Sequence, residues 1–315
     1  MGEIKEQFQK MKETLKMDTS FSTDKYEEAI KNSAVEVDDA KVAAAVKKII
    51  DEHAAENMNK EVYEFLLNTV DLTTLSTTDS EHSVAAFTKK VNDYWVKYPN
   101  YKNVASICVY SNFAEVVRAN LEVSDVNIAV CSANFPSSQG HIETKVAETA
   151  LAMQDGADEV DVVMNLGYFV DEAYEELCDE IAELKATIGD NHLKVILETG
   201  ALKTAENIKR ASILSMYSGA DFIKTSTGKI YPGASLEAAY VMCSCIKEYF
   251  DKHGIMVGFK ASGGIRTTED AVKYYTIVKE VLGEAWLDNA YFRIGASSLA
   301  NDLFKSFTGT EENPF

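Results

Sequence analysis

The sequence lacks a Cys-x-x-Cys pair among its five cysteines (Cys108, Cys131, Cys178, Cys243 and Cys245), which are odd in number and scattered through apolar segments. That pattern excludes a disulfide scaffold and points to a reducing compartment, with the thiols serving as small buried hydrophobes. The five histidines (His53, His82, His141, His192 and His253) lie far apart and form neither a His-Glu-x-x-His nor a His-x-His motif, so no metal site is expected. No Gly-x-Gly-x-x-Gly turn follows the first candidate strand and no Walker loop occurs, and no cofactor is expected. No apolar run reaches the roughly 18 residues of a membrane span, and the first residues are too charged for a secretory signal. Gly2 sits where a myristoylated chain would begin, but Glu6 occupies the position at which that motif takes serine or threonine. A cytoplasmic protein is expected. Excess positive charge is absent as well: the net charge of −19 argues against nucleic acids or anionic membranes as partners. An anionic substrate would therefore need a locally positive site.

What is present is a chain of 315 residues, 46 % of them apolar, enough for one large core or two modest ones. Residues 1–60 read as a charged, helix-prone extension. In it Ile4, Phe8, Met11 and Leu15 form one amphipathic stripe, and residues 39–53 form a second helical stretch rich in alanine and lysine. The extension is expected to pack on the main domain or to fray; an arm that binds a protein partner or a second copy in a homo-oligomer is the alternative.

From Val70 onward, short β-branched runs alternate with helical stretches, the pattern of βαβ units around a parallel sheet. Eight runs stand out: 69–75, 104–110, 126–132, 159–165, 194–200, 221–227, 256–262 and 291–297. Between them, Val84, Phe87, Val91 and Trp95 recur at helical spacing, as do Val170, Tyr174, Leu177, Ile181 and Leu184. Ala271, Tyr275, Val278 and Leu282 repeat the pattern after the helix start Thr267-Thr268-Glu269-Asp270. Eight strands, each followed by a helix, predict an α/β fold, a (βα)8 TIM barrel over residues 61–315 with an N-terminal helical extension. An open doubly wound sheet is the alternative.

Ionisable side chains inside parallel strands are costly unless paired or functional. Asp161, Glu198, Lys224 and Lys260 all stand near the C-terminal ends of such runs, the edge that lines the active site of a barrel. Lys224 and Lys260 belong to consecutive runs and are expected to be neighbours. Their mutual repulsion and their burial should depress one pKa and expose a free amine that attacks carbonyls. Asp161 can then move protons. The loops after the seventh and eighth runs, Ser262-Gly263-Gly264-Ile265-Arg266 and Gly295-Ala296-Ser297-Ser298, supply glycine backbone, hydroxyls and a cation where barrels often hold phosphate.

The segments DLTTL, GADEVDVV, ETGALK, GADFIKTSTGK, VGFKASGGIRT and RIGASSL, spread over residues 70–307, closely resemble the deoxyribose-phosphate aldolase family in content and order. The resemblance implies a metal-free class I aldolase that reversibly cleaves 2-deoxy-D-ribose 5-phosphate to D-glyceraldehyde 3-phosphate and acetaldehyde. It implies that Lys224 forms the Schiff base, that Lys260 tunes it, and that Asp161 with a water handles proton transfer. Gly228, Lys229, Gly263, Gly264, Arg266, Gly295, Ser297 and Ser298 match phosphate-side positions; Asp71, Thr73 and Thr227 match the region that holds substrate hydroxyls. Family members can carry a tail tyrosine that assists proton transfer, whereas this chain reads Asn313-Pro314-Phe315, which would leave that step to Asp161 and water. The competing expectations are an aldolase-fold binding or scaffold protein with little lyase activity, and a transaldolase-like enzyme acting on another phosphosugar.

Overall fold

The structure, a computed structural model, describes residues 23–315; the stripe from Ile4 to Leu15 lies outside them. Eight parallel strands close in sequence order into a barrel. They are β1 (Val70–Thr73), β2 (Ser106–Tyr110), β3 (Asn127–Ser132), β4 (Glu159–Val163), β5 (His192–Ile196), β6 (Phe222–Lys224), β7 (Gly258–Ser262) and β8 (Phe292–Ala296). Each lies within or overlaps one of the eight β-branched runs. The ring closes where Val70 of β1 stands opposite Ile294 of β8.

The period of two along each strand sorts the side chains. Ile107, Val130, Val160, Val162, Ile223 and Phe259 join the core that the strands share with the helices, and none is exposed. The alternate positions, among them Asp71, Asp161, Lys194, Lys224, Lys260 and Arg293, fill the barrel interior, where they contact one another. Gly258 makes room there for a ring: a Cβ at this position would stand 2.3 Å from Phe222.

The helices are α1 (Thr23–Lys31), α2 (Asp39–His53), α3 (Lys60–Leu67), α4 (Glu81–Lys97), α5 (Ala114–Asn120), α6 (Ile142–Gln154), α7 (Leu166–Val170), α8 (Tyr174–Ile188), α9 (Thr199–Leu202), α10 (Ala205–Tyr217), α11 (Leu236–His253), α12 (Thr268–Leu282) and α13 (Leu299–Thr308). Side-chain oxygens start many of them. Ser80, Thr204, Ser235 and Thr267 each accept a backbone N–H from the first turn of the helix that follows. Among the described residues no helix is long and apolar enough to cross a membrane.

The described part of the N-terminal extension packs on the barrel's outer layer. Val42 and Val46 of α2 are buried, Asp39 accepts the N–H of Ala205 at 2.8 Å, and Asn57 donates to Thr276 at 3.0 Å. At the other end, the Phe315 ring is buried with its centroid 4.6 Å from that of Tyr94 on α4, and its backbone pairs with the Asn301 amide at 3.0 and 2.8 Å. The last residue is thus seated between α4 and α13.

Candidate active site

The inward side chains of β1, β4, β5, β6, β7 and β8 build a buried charge network. Asp161 Oδ2 accepts from Lys224 Nζ and from Lys260 Nζ, each at 2.7 Å, and Lys194 Nζ lies 3.4 Å from its other oxygen. Lys260 also pairs with Asp71, and Lys194 with Glu159. Arg293 spans Asp71 at 2.7 Å and Glu159 at 2.8 Å. All seven groups are almost wholly buried, so four cations face three carboxylates away from water. Register explains the meeting of the two lysines: Lys224 stands opposite Lys260 in the β6–β7 pair.

The two lysines are neighbours, as their spacing predicts, but the expected depression of the Lys224 pKa is not what the resting arrangement favours. Burial, the largest single influence, pushes it down and the Lys260 charge adds to that, yet the Asp161 carboxylate is the chief of the contributions that together hold Lys224 above the ordinary lysine value. Lys260 is treated likewise: burial opposes its charge, but Asp161 and Asp71 hold it well above the ordinary value. Asp161 itself resists burial through Lys224, Lys260 and Lys194, which keep its carboxyl far below the usual carboxylate range. Sequence reasoning paired two lysines by repulsion; the fold places a carboxylate between them.

Above this network lies a cleft of about 250 Å³ at the C-terminal ends of the strands. Lys224 reaches it from the floor. Thr73, Thr227, Gly228, Lys229, Gly263, Gly264, Arg266, Gly295, Ser297 and Ser298, every hydroxyl- or phosphate-side residue picked from sequence except Asp71, line it. Asp71 lies beneath the floor in the ion network, as do Asp161 and Lys260. Among the described residues that line the cleft there is no carboxylate, while Lys224, Lys229 and Arg266 supply three cations. The cleft is thus locally positive in a chain of net charge −19.

The loops after β6, β7 and β8 meet at one side of the cleft. Gly263 has φ +88, and a Cβ on Gly233 would stand 2.1 Å from its carbonyl oxygen, so two loops touch through backbone alone. Ser298 begins α13 at the cleft, and its side chain makes no capping bond to its own helix. Across the cleft, Lys229 reaches the carbonyl of Leu75 and so bridges the loops after β6 and β1.

Three network members, Glu159, Lys194 and Arg293, were not singled out by sequence reasoning. The signal was there: each is a charged residue inside one of the eight runs, where an ionisable side chain is costly unless paired.

Residues 65–303 match the family described as DeoC/LacD family aldolase. The human protein named deoxyribose-phosphate aldolase is 40 % identical over 250 residues, covering 74 % of this chain and 77 % of that one. The mouse protein of the same name is 39 % identical with the same coverage. A solved structure from Aeropyrum pernix, titled as a deoxyribose phosphate aldolase of unique tetrameric structure, superposes with a TM-score of 0.63 at 23 % identity, over 84 % of this chain and 97 % of that one. That last likeness concerns the fold.

Proposed function

We propose, from the premise that this chain belongs to the DeoC/LacD family of class I aldolases, that it cleaves 2-deoxy-D-ribose 5-phosphate reversibly through a Schiff base on Lys224. The observation that carries the reading is the Lys224 amine, held at 2.7 Å by a buried carboxylate, on the floor of a cleft walled by cations and phosphate-type loops.

The charges explain how the reaction proceeds. Lys224 must lose a proton before it attacks the aldehyde, and the nearby Lys260 charge favours that loss. The iminium that follows is again a cation, so Asp161 keeps its partner. The C3 hydroxyl of the sugar gives its proton through a water to Asp161 as the carbon–carbon bond breaks and sends its electrons to the iminium, giving a neutral enamine and D-glyceraldehyde 3-phosphate. With the iminium charge gone Asp161 has one cationic partner fewer, which favours its holding that proton until it is relayed to the enamine carbon. Hydrolysis of the resulting iminium releases acetaldehyde. The buried Phe315 ring, seated against Tyr94, takes no part in this relay.

Borohydride added with acetaldehyde should reduce the Schiff base to a stable adduct, and mass mapping should place it on Lys224. An adduct elsewhere, or none, would falsify the assignment.

Lys260→Leu removes a positive charge that favours the free amine. The Lys224 pKa should rise further, the rising limb of the pH–rate profile should move to higher pH, and the rate at neutral pH should fall roughly 10²-fold or more. An unchanged profile would show that the two charges do not communicate.

Arg266 has a different task. It is exposed on the cleft and forms no ion pair among the described residues, as suits a cation kept for a phosphate. Arg266→Ala should weaken kcat/KM for the phosphorylated sugar by roughly 1.5–3 kcal/mol while sparing unphosphorylated deoxyribose. Equal loss on both sugars would remove Arg266 from the phosphate site.

A further inference from the structure

One ionisable residue at a strand end remains outside the mechanism. Glu198 directly precedes α9, is 3 % exposed, and holds a left-handed backbone conformation (φ 56, ψ 58) that a residue with a side chain adopts reluctantly. Strain of this kind persists only where its surroundings fix it. Here the carboxylate grips one residue twice: Oε1 accepts the N–H of Thr227 at 3.2 Å and Oε2 accepts its hydroxyl at 2.6 Å. Thr227 lines the cleft three positions after Lys224.

An ionised carboxylate only accepts hydrogen bonds, so it consumes the single hydrogen of the Thr227 hydroxyl. One lone pair of that oxygen takes the N–H of Lys229 at 3.2 Å. What remains for the cleft is an acceptor. Thr73 on the β1 side is set the same way, its hydrogen donated to the Asp71 carbonyl at 2.7 Å. The cleft has no lining carboxylate among its described residues, so these oxygens are among its few side-chain acceptors for a sugar hydroxyl.

We infer that Glu198 is a positioning residue for substrate selection: it fixes Thr227 as a hydrogen-bond acceptor and thereby favours acceptor aldehydes that carry a hydroxyl next to the reacting carbonyl. The inference rests on the aldolase reading above. Glu198→Gln tests it without changing shape. The carbonyl of the introduced side-chain amide would keep the Thr227 N–H, its NH2 group would donate to the Thr227 hydroxyl, and that hydroxyl would turn its hydrogen into the cleft. The hydrogen of a bound sugar hydroxyl then loses its acceptor.

The experiment compares two acceptors in the synthetic direction with acetaldehyde: D-glyceraldehyde 3-phosphate, and 3-oxopropyl phosphate, which lacks the hydroxyl. Glu198→Gln in the full chain should lower kcat/KM for the first about tenfold, chiefly through KM, and leave the second within about twofold. Thr227→Val should show the same selectivity, and adding Glu198→Gln to it should change nothing more, because the two residues act through one hydroxyl. Losses equal for both acceptors, or additive in the double variant, would reduce Glu198 to a brace for the fold. If acetaldehyde and borohydride fail to modify Lys224 in the unaltered protein, the aldolase reading falls first and this inference with it.

Discussion

Lys224→Leu is expected to abolish cleavage, lowering turnover by about 10⁴-fold or more, and to eliminate the borohydride adduct. The nitrogen that becomes covalently bound is gone, and among the described residues no other lysine lines the cleft floor beside Asp161, since Lys260 is wholly buried beneath it. The fold should survive. Removing one of the four buried cations leaves Lys194, Lys260 and Arg293 against Asp71, Glu159 and Asp161, three charges of each sign, and Asp161 keeps Lys260 at 2.7 Å. Turnover, adduct mapping and a thermal melt on the same preparation check the three parts. An adduct that reappears on Lys260 would move the nucleophile to β7.

Asp161→Asn should separate Schiff-base formation from turnover. The carboxylate is the chief contribution that holds Lys224 above its ordinary pKa, so without it burial and the Lys260 charge prevail and the Lys224 pKa falls. Trapping by acetaldehyde and borohydride should therefore begin at lower pH than in the unaltered protein. Turnover should nevertheless drop by roughly 10²–10⁴-fold, because the group that relays protons to the enamine is lost. Stability should fall by about 3–5 kcal/mol, since two buried ammonium groups lose their shared counter-charge. The pH dependence has a definite sign. The Asp161 pKa is depressed in the folded state, so its contribution is present above the unfolded carboxylate pKa of about 4 and is lost as pH falls from there. Denaturant melts at pH 7 and below pH 4 should thus differ less in the variant. A trapping profile that moves to higher pH would show that Asp161 does not stabilise the Lys224 ammonium.

Much of this arrangement was readable from the chain because two periods carry it. The alternation of β-branched runs with helical stretches announced eight strands, and Thr267 begins its helix where the acid-rich segment suggests. The strand ends were blurred. The run 221–227 contains only three residues of strand, Phe222–Lys224, because the same composition continues into the loop that Glu198 grips from the side. In the site, the glycine and serine loops were visible as loops, and the lysines as charges where charge is costly. What spacing could not provide was register. Lys224 faces Lys260, and Asp161 faces Lys194, only because of how each pair of strands is staggered, and that depends on contacts made across the ring. For that reason the carboxylate between the lysines, and the sign of its effect on Lys224, emerged only with the fold. The same holds for Asp71, which matches a substrate-hydroxyl position in sequence but points into the ion network in space.

The seam between β1 and β8 also dictates an order of events as the chain folds. Val70 meets Ile294 across most of the chain's length, so this pairing closes a larger loop than any between consecutive strands and is disfavoured until the intervening units have formed. A curled sheet that ends at β7 already has Asp161 beside Lys224 and Lys260. Without β8 and the closed seam, however, Asp71 lacks both Lys260 and Arg293, while Glu159 keeps only Lys194, leaving a carboxylate of the network without a counter-charge. Closure therefore completes the floor of the cleft and the charge network beneath it in one step, which disfavours any long-lived half-barrel.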